Sequence, residues 1–516
     1  MSFSKLIAPY FALSAIPAAS AAFFYPNVQT SLVEGIFVDA HGAHATGFVD
    51  AVTPCTRYVS GAATVGRETA AQWVRVSFHD FVTHHTSDGS GGLDASIGFE
   101  ADRAENAGAA MNDTIRFFRN RVNAKIGSAD FLALSVSVAV QNCGGPIIPV
   151  RAGRIDATGP GPFGVPAPTT TLNDTLSMFG GAGMSQSDAI TLVACGHTFG
   201  AVHHGVFPDV VGPDAITPNN TAGGVNFDDS PAVFDDHNVH AYIDGTGAKG
   251  GTLVTTPNVT SQSDLRLFSS DNNATLLALY NEQGSFVNTC ATLFQRMIET
   301  VPSNVVLSDV ITPQTLKPVN STLDFDTNGN LIFTGSIRVL SNESAVAPES
   351  LTHTTSLNST ALNITPEDEG GYSIYGNTTF YPFNQPISKP SAFTSFSVIG
   401  SGISSETFAV QAQTFVVPSA SSNSESEDGT VTVSFTVAVL NSSTAPIVKV
   451  SIPVVQPNTF GPLVEIFNNV AVTAAGTKAG YSLFTGSVSA GVWTHGTTEV
   501  AIVNGSGNEL DVLMVV

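Results

Sequence analysis

The apolar pattern of this chain changes period near Val310, so it reads as two domains rather than one. From about residue 45 to 300, apolar residues recur at helical spacing between Gly/Pro loops. Glu68–Phe81 carries a stripe through Trp73, Val74 and Phe78. Ser185-x-x-Asp188 is a capping-box pattern, and the helix it opens is expected to reach about Ala201, with Ile190, Val193, Ala194, His197 and Ala201 on one face. Further helices are expected over Ala107–Ile126, Ala129–Gln141 and Val287–Thr300. Asp156–Thr171 and Phe207–Phe227 are long Pro/Gly-rich loops of the kind that carry function. From Leu323 onward, β-branched and aromatic residues alternate over Asn330–Leu340, Thr430–Leu440, Ile447–Val455 and Glu499–Val503, which indicates a β-sandwich. The acidic, Ser-rich stretch Ser419–Gly429 reads as an exposed loop.

The first residues read as a secretory signal over 1–21: Lys5, the apolar run Leu6–Ala15, then the small-x-small site Ala19-Ser20-Ala21. That run is too short to span a membrane, and a soluble, secreted, monomeric product is expected. N-x-S/T triplets at Asn112, Asn173, Asn219, Asn258, Asn273, Asn320, Asn342, Asn358, Asn363, Asn377, Asn441 and Asn504 agree with export and glycosylation. A formal charge of −23, with only 19 Lys plus Arg, argues against nucleic acid or anionic lipid as partners and suits cations such as Ca²⁺. The four cysteines, Cys55, Cys143, Cys195 and Cys290, allow three complete pairings and show no zinc-type spacing. Cys195, inside an expected helix, reads as a buried thiol, which would leave at most one disulfide.

The residues with most chemistry are Arg75-Val-Ser-Phe78-His79-Asp80. Four residues apart on a helix, Arg75 and His79 share a face. Cleaving an O–O bond needs a base to move a proton and a cation to meet the charge that develops, and this pair supplies both. Gly91-Gly92-Leu93-Asp94-Ala95-Ser96 follows. Asp80, Gly92, Asp94 and Ser96 could cage a hard cation at the end of the helix that carries His79.

FHD followed by GGLDAS resembles the distal half of the plant-type haem peroxidases, especially their secreted fungal class II branch. Glu100 and Asn106 stand at the spacing of that family's distal Glu and Asn. Ala194-Cys195-Gly196-His197-Thr198-Phe199-Gly200 resembles its proximal motif, which implies His197 as the haem ligand. Thr198 with Asp228, Ser230, the Val233 carbonyl and Asp235 matches its second Ca²⁺ site. Arg266-Leu-Phe-Ser-Ser-Asp271 matches the segment whose Asp bonds the proximal His, implying Asp271 in that role. The resemblance covers about residues 50–312 and does not reach the C-terminal part.

It implies a mainly α, two-lobed haem-peroxidase domain over 22–312, with the haem between the lobes; the strand pattern beyond it predicts an all-β, sandwich-like domain of unassigned role over 313–516. The resemblance also implies one haem b and two Ca²⁺ per chain. The expected activity is reduction of hydrogen peroxide, with Arg75, His79, Asn106 and Glu100 as catalytic residues and small aromatic reducing substrates as donors. With Phe78 and Phe227 where cytochrome c peroxidases have Trp, the second oxidising equivalent is expected on the porphyrin. The manganese-site positions are Glu68, Gln72 and His203, only one of them acidic, and the surface-Trp position is Leu192. Neither Trp73 nor Trp493 matches that relay, so a generic phenol-oxidising peroxidase is the reading, with His84, His85 and Val165-Pro166-Ala167-Pro168 along its access channel. The rival reading is a glycosylated cell-wall or surface-binding protein that keeps an inactive peroxidase fold. A role for the β part in docking on wall polysaccharide or plant material is compatible with either.

Overall fold

A computed structural model describes residues 23–53, 55, 68–282, 284–342, 347–357 and 361–515. The signal segment and the Asn358 triplet lie outside the described residues. The helical part contains α1 (Val28–Val38), α2 (Thr69–Phe81), α3 (Ala110–Arg119), α4 (Ser128–Asn142), α5 (Leu172–Gly181), α6 (Gln186–Gly196), α7 (His237–Asp244), α8 (Thr252–Thr255), α9 (Ser263–Phe268), α10 (Ala274–Asn281) and α11 (Ser285–Glu299). α4 is buried on nearly every side and runs through the core beside α2, with Phe131, Leu132, Leu134, Val136 and Val140 all buried. The capping box forms: Ser185 Oγ accepts from Asp188 N–H and the Asp188 carboxylate from Ser185 N–H.

Two helices are shorter than their patterns suggest. α6 stops at Gly196 and the chain turns at Gly200 (φ +101°), which puts Ala201 in a short strand, β2 (Ala201–His203), paired with β3 (Gly224–Asn226). α3 begins only at Ala110, after Gly108 at φ +102°. Cys195 is no free thiol. Disulfides join Cys195 to Cys290 and Cys55 to Cys143, so both expected limits on cysteine pairing are corrected.

The β part is two sandwiches, not one. The first stacks β1 (His41–Gly42), β8 (Gly371–Ser373), β9 (Gly376–Pro386), β5 (Leu331–Ser341) and β4 (Leu316–Phe325) against β11 (Ile403–Ala409), β10 (Ser395–Gly400), β6 (Leu351–Thr355) and β7 (Leu362–Ile364). Phe333, Tyr381, Phe383, Phe396 and Phe408 fill the space between the sheets. The second stacks β12 (Thr414–Val416), β14 (Thr430–Leu440), β18 (Tyr481–Val492) and β17 (Thr473–Lys478) against β16 (Pro462–Phe467), β15 (Ile447–Val455), β19 (Thr498–Val503) and β20 (Glu509–Val515). In β14, Val431, Val433, Phe435 and Val437 point inward while Thr432 and Ser434 point out, the period-two pattern of a strand with one wet face. Residues 422–425 are not loop but β13 (Ser422–Glu425), an edge strand on β14: Ser and Glu side chains on the wet side of an edge hide a strand from a sequence reader.

The N-terminal segment crosses between the two parts. β1 pairs with β8, His41 opposite Tyr372, and Phe23 sits in the first sandwich's core. From α1, buried Glu34 meets Lys317 Nζ at 2.6 Å and Arg338 in a fork at 2.5 and 2.9 Å, with Asp39 3.2 Å from Arg338. Burial would raise the Glu34 carboxyl, but the two cations outweigh it and hold it below its ordinary value, while Asp39 is pushed up by burial. No helix among the described residues is long and apolar enough to cross a membrane.

Candidate active site

α2 and α6 border one cavity of about 690 Å³, within the range of cofactor and ligand pockets. α2 contributes Arg75, Phe78 and His79; from α6 and its C-terminal cap come Leu192, Gly196 and His197. Phe199, Phe227 and Leu267 help make the remaining wall apolar.

His79 is buried, and its Nδ1 lies 2.8 Å from Asn106 Oδ1. Asn106 Nδ2 donates to the Glu100 carbonyl at 3.0 Å, which orients the amide with its oxygen toward His79. The imidazole proton therefore sits on Nδ1, and Nε2 is left bare. Burial, and then the nearby Arg75 charge, push the His79 pKa down to about 3 against the opposing bond to Asn106, so the ring is neutral at ordinary pH. Burial lowers Arg75 to about 10, still charged at neutral pH, and its Nη2 donates to the Ala107 carbonyl at 2.8 Å.

His197 presents the mirror arrangement. Its Nδ1 is 2.6 Å from Asp264 Oδ2, and its ring stacks on Phe227 at 4.0 Å and 3°. The sequence reading assigned this partnership to Asp271, and the structure corrects it. Asp271 lies past the end of α9, where its carboxylate caps α10 by accepting from the Thr275 N–H and hydroxyl at 2.9 and 2.5 Å. Asp264 shares the buried side of α9 with Leu267 and Phe268, spaced i, i+3 and i+4. That spacing was the signal available in the sequence. Arg266 does not face the site; it donates to the carbonyls of Pro168 and Thr170 and ties down the loop whose Pro166, Ala167 and Pro168 edge the cavity.

Glu100 is buried outside the cavity lining. Its carboxylate accepts from Gly161 N–H at 2.6 Å and meets Arg103 at 3.1 Å. His84 and His85 are not among the lining residues either: His84 Nδ1 is 3.0 Å from the Gly91 carbonyl, and His85 bridges to Ser90. Glu68, Gln72 and His203 do line the cavity. Burial, reinforced by Asp228, raises Glu68 to about 7, and its Oε2 is buried without a hydrogen-bond partner.

Around Asp80, one carboxyl oxygen accepts from Asp94 and Ala95 N–H at 2.9 and 2.8 Å, and the other from Ile97 N–H at 2.9 Å and Ser96 Oγ at 3.4 Å. Burial, then the Asp94 charge, hold the Asp80 carboxyl well above its usual range. Gly92 offers its carbonyl to Asp94 N–H. On the other side of the cavity, Thr198 Oγ1 donates to the Asp235 carbonyl at 2.7 Å, and Ser230 Oγ reaches Asp235 at 3.0 Å and Asp228 at 3.4 Å. Val233 N–H bonds the Ser230 carbonyl. Asp228 Oδ2 is buried without a partner, and burial raises that carboxyl to about 6. Among the described residues, no group of three or more His, Cys, Asp or Glu side chains is placed to hold a metal ion.

Residues 56–283, which include both histidines, match the peroxidase family model. The chain therefore carries a peroxidase domain followed by an all-β region of several antiparallel sheets. A "WSC domain-containing protein" of Arthroderma benhamiae is 39% identical over 332 residues, 64% of this chain and 44% of that protein. Manganese peroxidase 3 of Phlebia radiata is 33% identical over 175 residues (31% and 44%), and the putative L-ascorbate peroxidase 6 of Arabidopsis thaliana 34% over 137 (26% and 41%). The chain spans less than half the length of each of these three relatives.

Proposed function

We propose that this protein is a secreted haem peroxidase that reduces hydrogen peroxide and oxidises phenolic or other small aromatic donors in one-electron steps. One observation carries the reading: two imidazoles border a single apolar cavity, each held at Nδ1 by its own acceptor and each left with Nε2 unused. The residues present suit haem, since an apolar cavity with one histidine held by a carboxylate and a neutral one held by an amide offers one strong ligand and one base. Bound haem would supply an iron that takes peroxide and stores two oxidising equivalents.

His197 would hold the iron through Nε2. Asp264, accepting from Nδ1–H, gives that imidazole anionic character and raises its strength as a donor. His79 Nε2 takes the proton from one peroxide oxygen and returns it to the other, which leaves as water. Arg75 meets the negative charge on the leaving oxygen. Asn106 fixes the His79 tautomer that makes this possible.

The same reading includes two Ca²⁺. The proximal cluster of Thr198, Asp228, Ser230, Val233 and Asp235 has the stronger claim, because the unpartnered Asp228 oxygen asks for a cation. Asp80, Gly92, Asp94 and Ser96 form the second candidate, where peptide N–H groups already occupy part of the carboxylate. Two disulfides favour an oxidising compartment, as export would require.

The test is spectroscopic. Purified protein incubated with haem should develop a Soret band that shifts on adding peroxide and returns on adding a phenol. Folded protein that takes up no haem would end this reading.

A further inference from the structure

The second sandwich meets the helical domain at Gly98, in the turn that follows the His79 helix. Phe460 N–H, in the loop between β15 and β16, donates to the Gly98 carbonyl at 3.1 Å. The approach is close: a Cβ on Gly98 would stand 3.1 Å from Thr459 Oγ1 and 3.6 Å from Gly461 N. The Phe460 ring lies 4.8 Å from the Arg116 guanidinium and packs, with Val464, onto the helical domain's core. Nearby, Lys125 Nζ bonds Glu509 at 2.5 Å and Glu499 at 3.0 Å, and Lys449 holds the same two carboxylates at 2.6 and 3.3 Å. A domain meant to move freely would meet its neighbour through few contacts and an exposed linker. This one is clamped.

Gly98 belongs to the tight turn Ser96–Phe99. Ile97 N–H of that turn bonds Asp80, the residue after His79. Glu100 N–H bonds the Ile97 carbonyl, the Glu100 carbonyl accepts from Asn106, and Asn106 accepts from His79. We infer that Phe460 is a positioning residue for the peroxide step and that the second sandwich is a structural part of the site, fixing through Gly98 the turn on which Asn106 and His79 depend. Assigning His79 to peroxide rests on the function proposed above; the contact itself does not.

The test compares the full chain with Phe460→Ala, Phe460→Leu and a control, Val448→Ala, which opens the sandwich's core without touching the Gly98 turn. Two quantities are read: amide hydrogen exchange at Ile97, Glu100 and Asn106 in haem-free protein, and the separate rates of the peroxide and donor steps in haem-loaded protein. Phe460→Ala should speed exchange at those amides roughly tenfold and slow the peroxide step by about tenfold with the donor step unchanged. Phe460→Leu should restore most of both, and Val448→Ala should do neither. Unchanged exchange and peroxide rate in Phe460→Ala, or equal losses in the control, would overturn the inference. Should Phe460→Ala not fold, Gly98→Ala, which presses on Thr459, is read against the same expectations. Failure of the wild type to bind haem would count against the proposed activity alone, since the exchange measurement decides the contact without it.

Discussion

Two residues separate the proposed chemistry from a merely well-packed pocket. His79→Leu removes the base but leaves the cavity and its proximal side intact. Haem should remain bound while the rate of reaction with peroxide, followed by stopped flow, falls by about 10²–10⁴-fold. An unchanged rate would mean another group moves the proton. The corrected proximal pair gives a sharper contrast. Asp264→Asn should change the ferric spectrum and raise the reduction potential, because the imidazole loses its anionic acceptor. Asp271→Asn should leave both alone and barely change stability, since an amide oxygen can cap α10 nearly as well as the carboxylate. A reversed pattern in the two spectra would restore Asp271 to the role the sequence suggested.

At the level of elements, burial leaves a readable pH dependence in the second sandwich. Asp511, buried on β20, accepts from Val416 N–H at 2.8 Å, and burial pushes its carboxyl up to about 7. Its folded-state pKa thus lies above the unfolded value. The favourable contribution is complete below about pH 4 and is lost as the pH rises through 7, when the folded protein must ionise a buried group. Asp511→Asn should flatten that decline and be more stable than wild type by on the order of 2 kcal/mol at pH 8, with little difference at pH 4, by denaturant titration. The elements themselves were largely legible. α2, α11 and strands β5, β14, β15 and β19 follow from period, α4 from its long apolar-rich run, and the capping box marked the start of α6. Where α6 ends was not legible, because Gly196 and Gly200 bracket a turn that the apolar face of Ala201 disguises. The Cys195–Cys290 bond was hidden for a related reason: it joins neighbouring helices, α6 and α11, which only the packed structure brings together. Asp264 and Asp271 could be told apart only by noticing which one shares a face with Leu267 and Phe268.

On the scale of the molecule, the helical and β parts are bound by buried charge as well as by packing. Ending the chain after residue 312 would strip Lys317 and Arg338 from Glu34, leaving a carboxylate without its partners and Phe23 without its core. Such a truncation removes the ion cluster together with the core in which Phe23 is buried, and both losses should lower stability. In a thermal melt it should unfold well below the full chain or fail to accumulate as soluble protein; an equally stable truncate would show that the clamp is incidental. The pairing of His41 with Tyr372 has a further consequence, for synthesis rather than function. The strand that closes the first sandwich emerges from the ribosome early, and its partner follows roughly 15–65 seconds later at ordinary elongation rates. Through that interval the leading segment must stay unpaired without straying into another sheet, so slower elongation, which lengthens the wait, should favour aggregates over native protein.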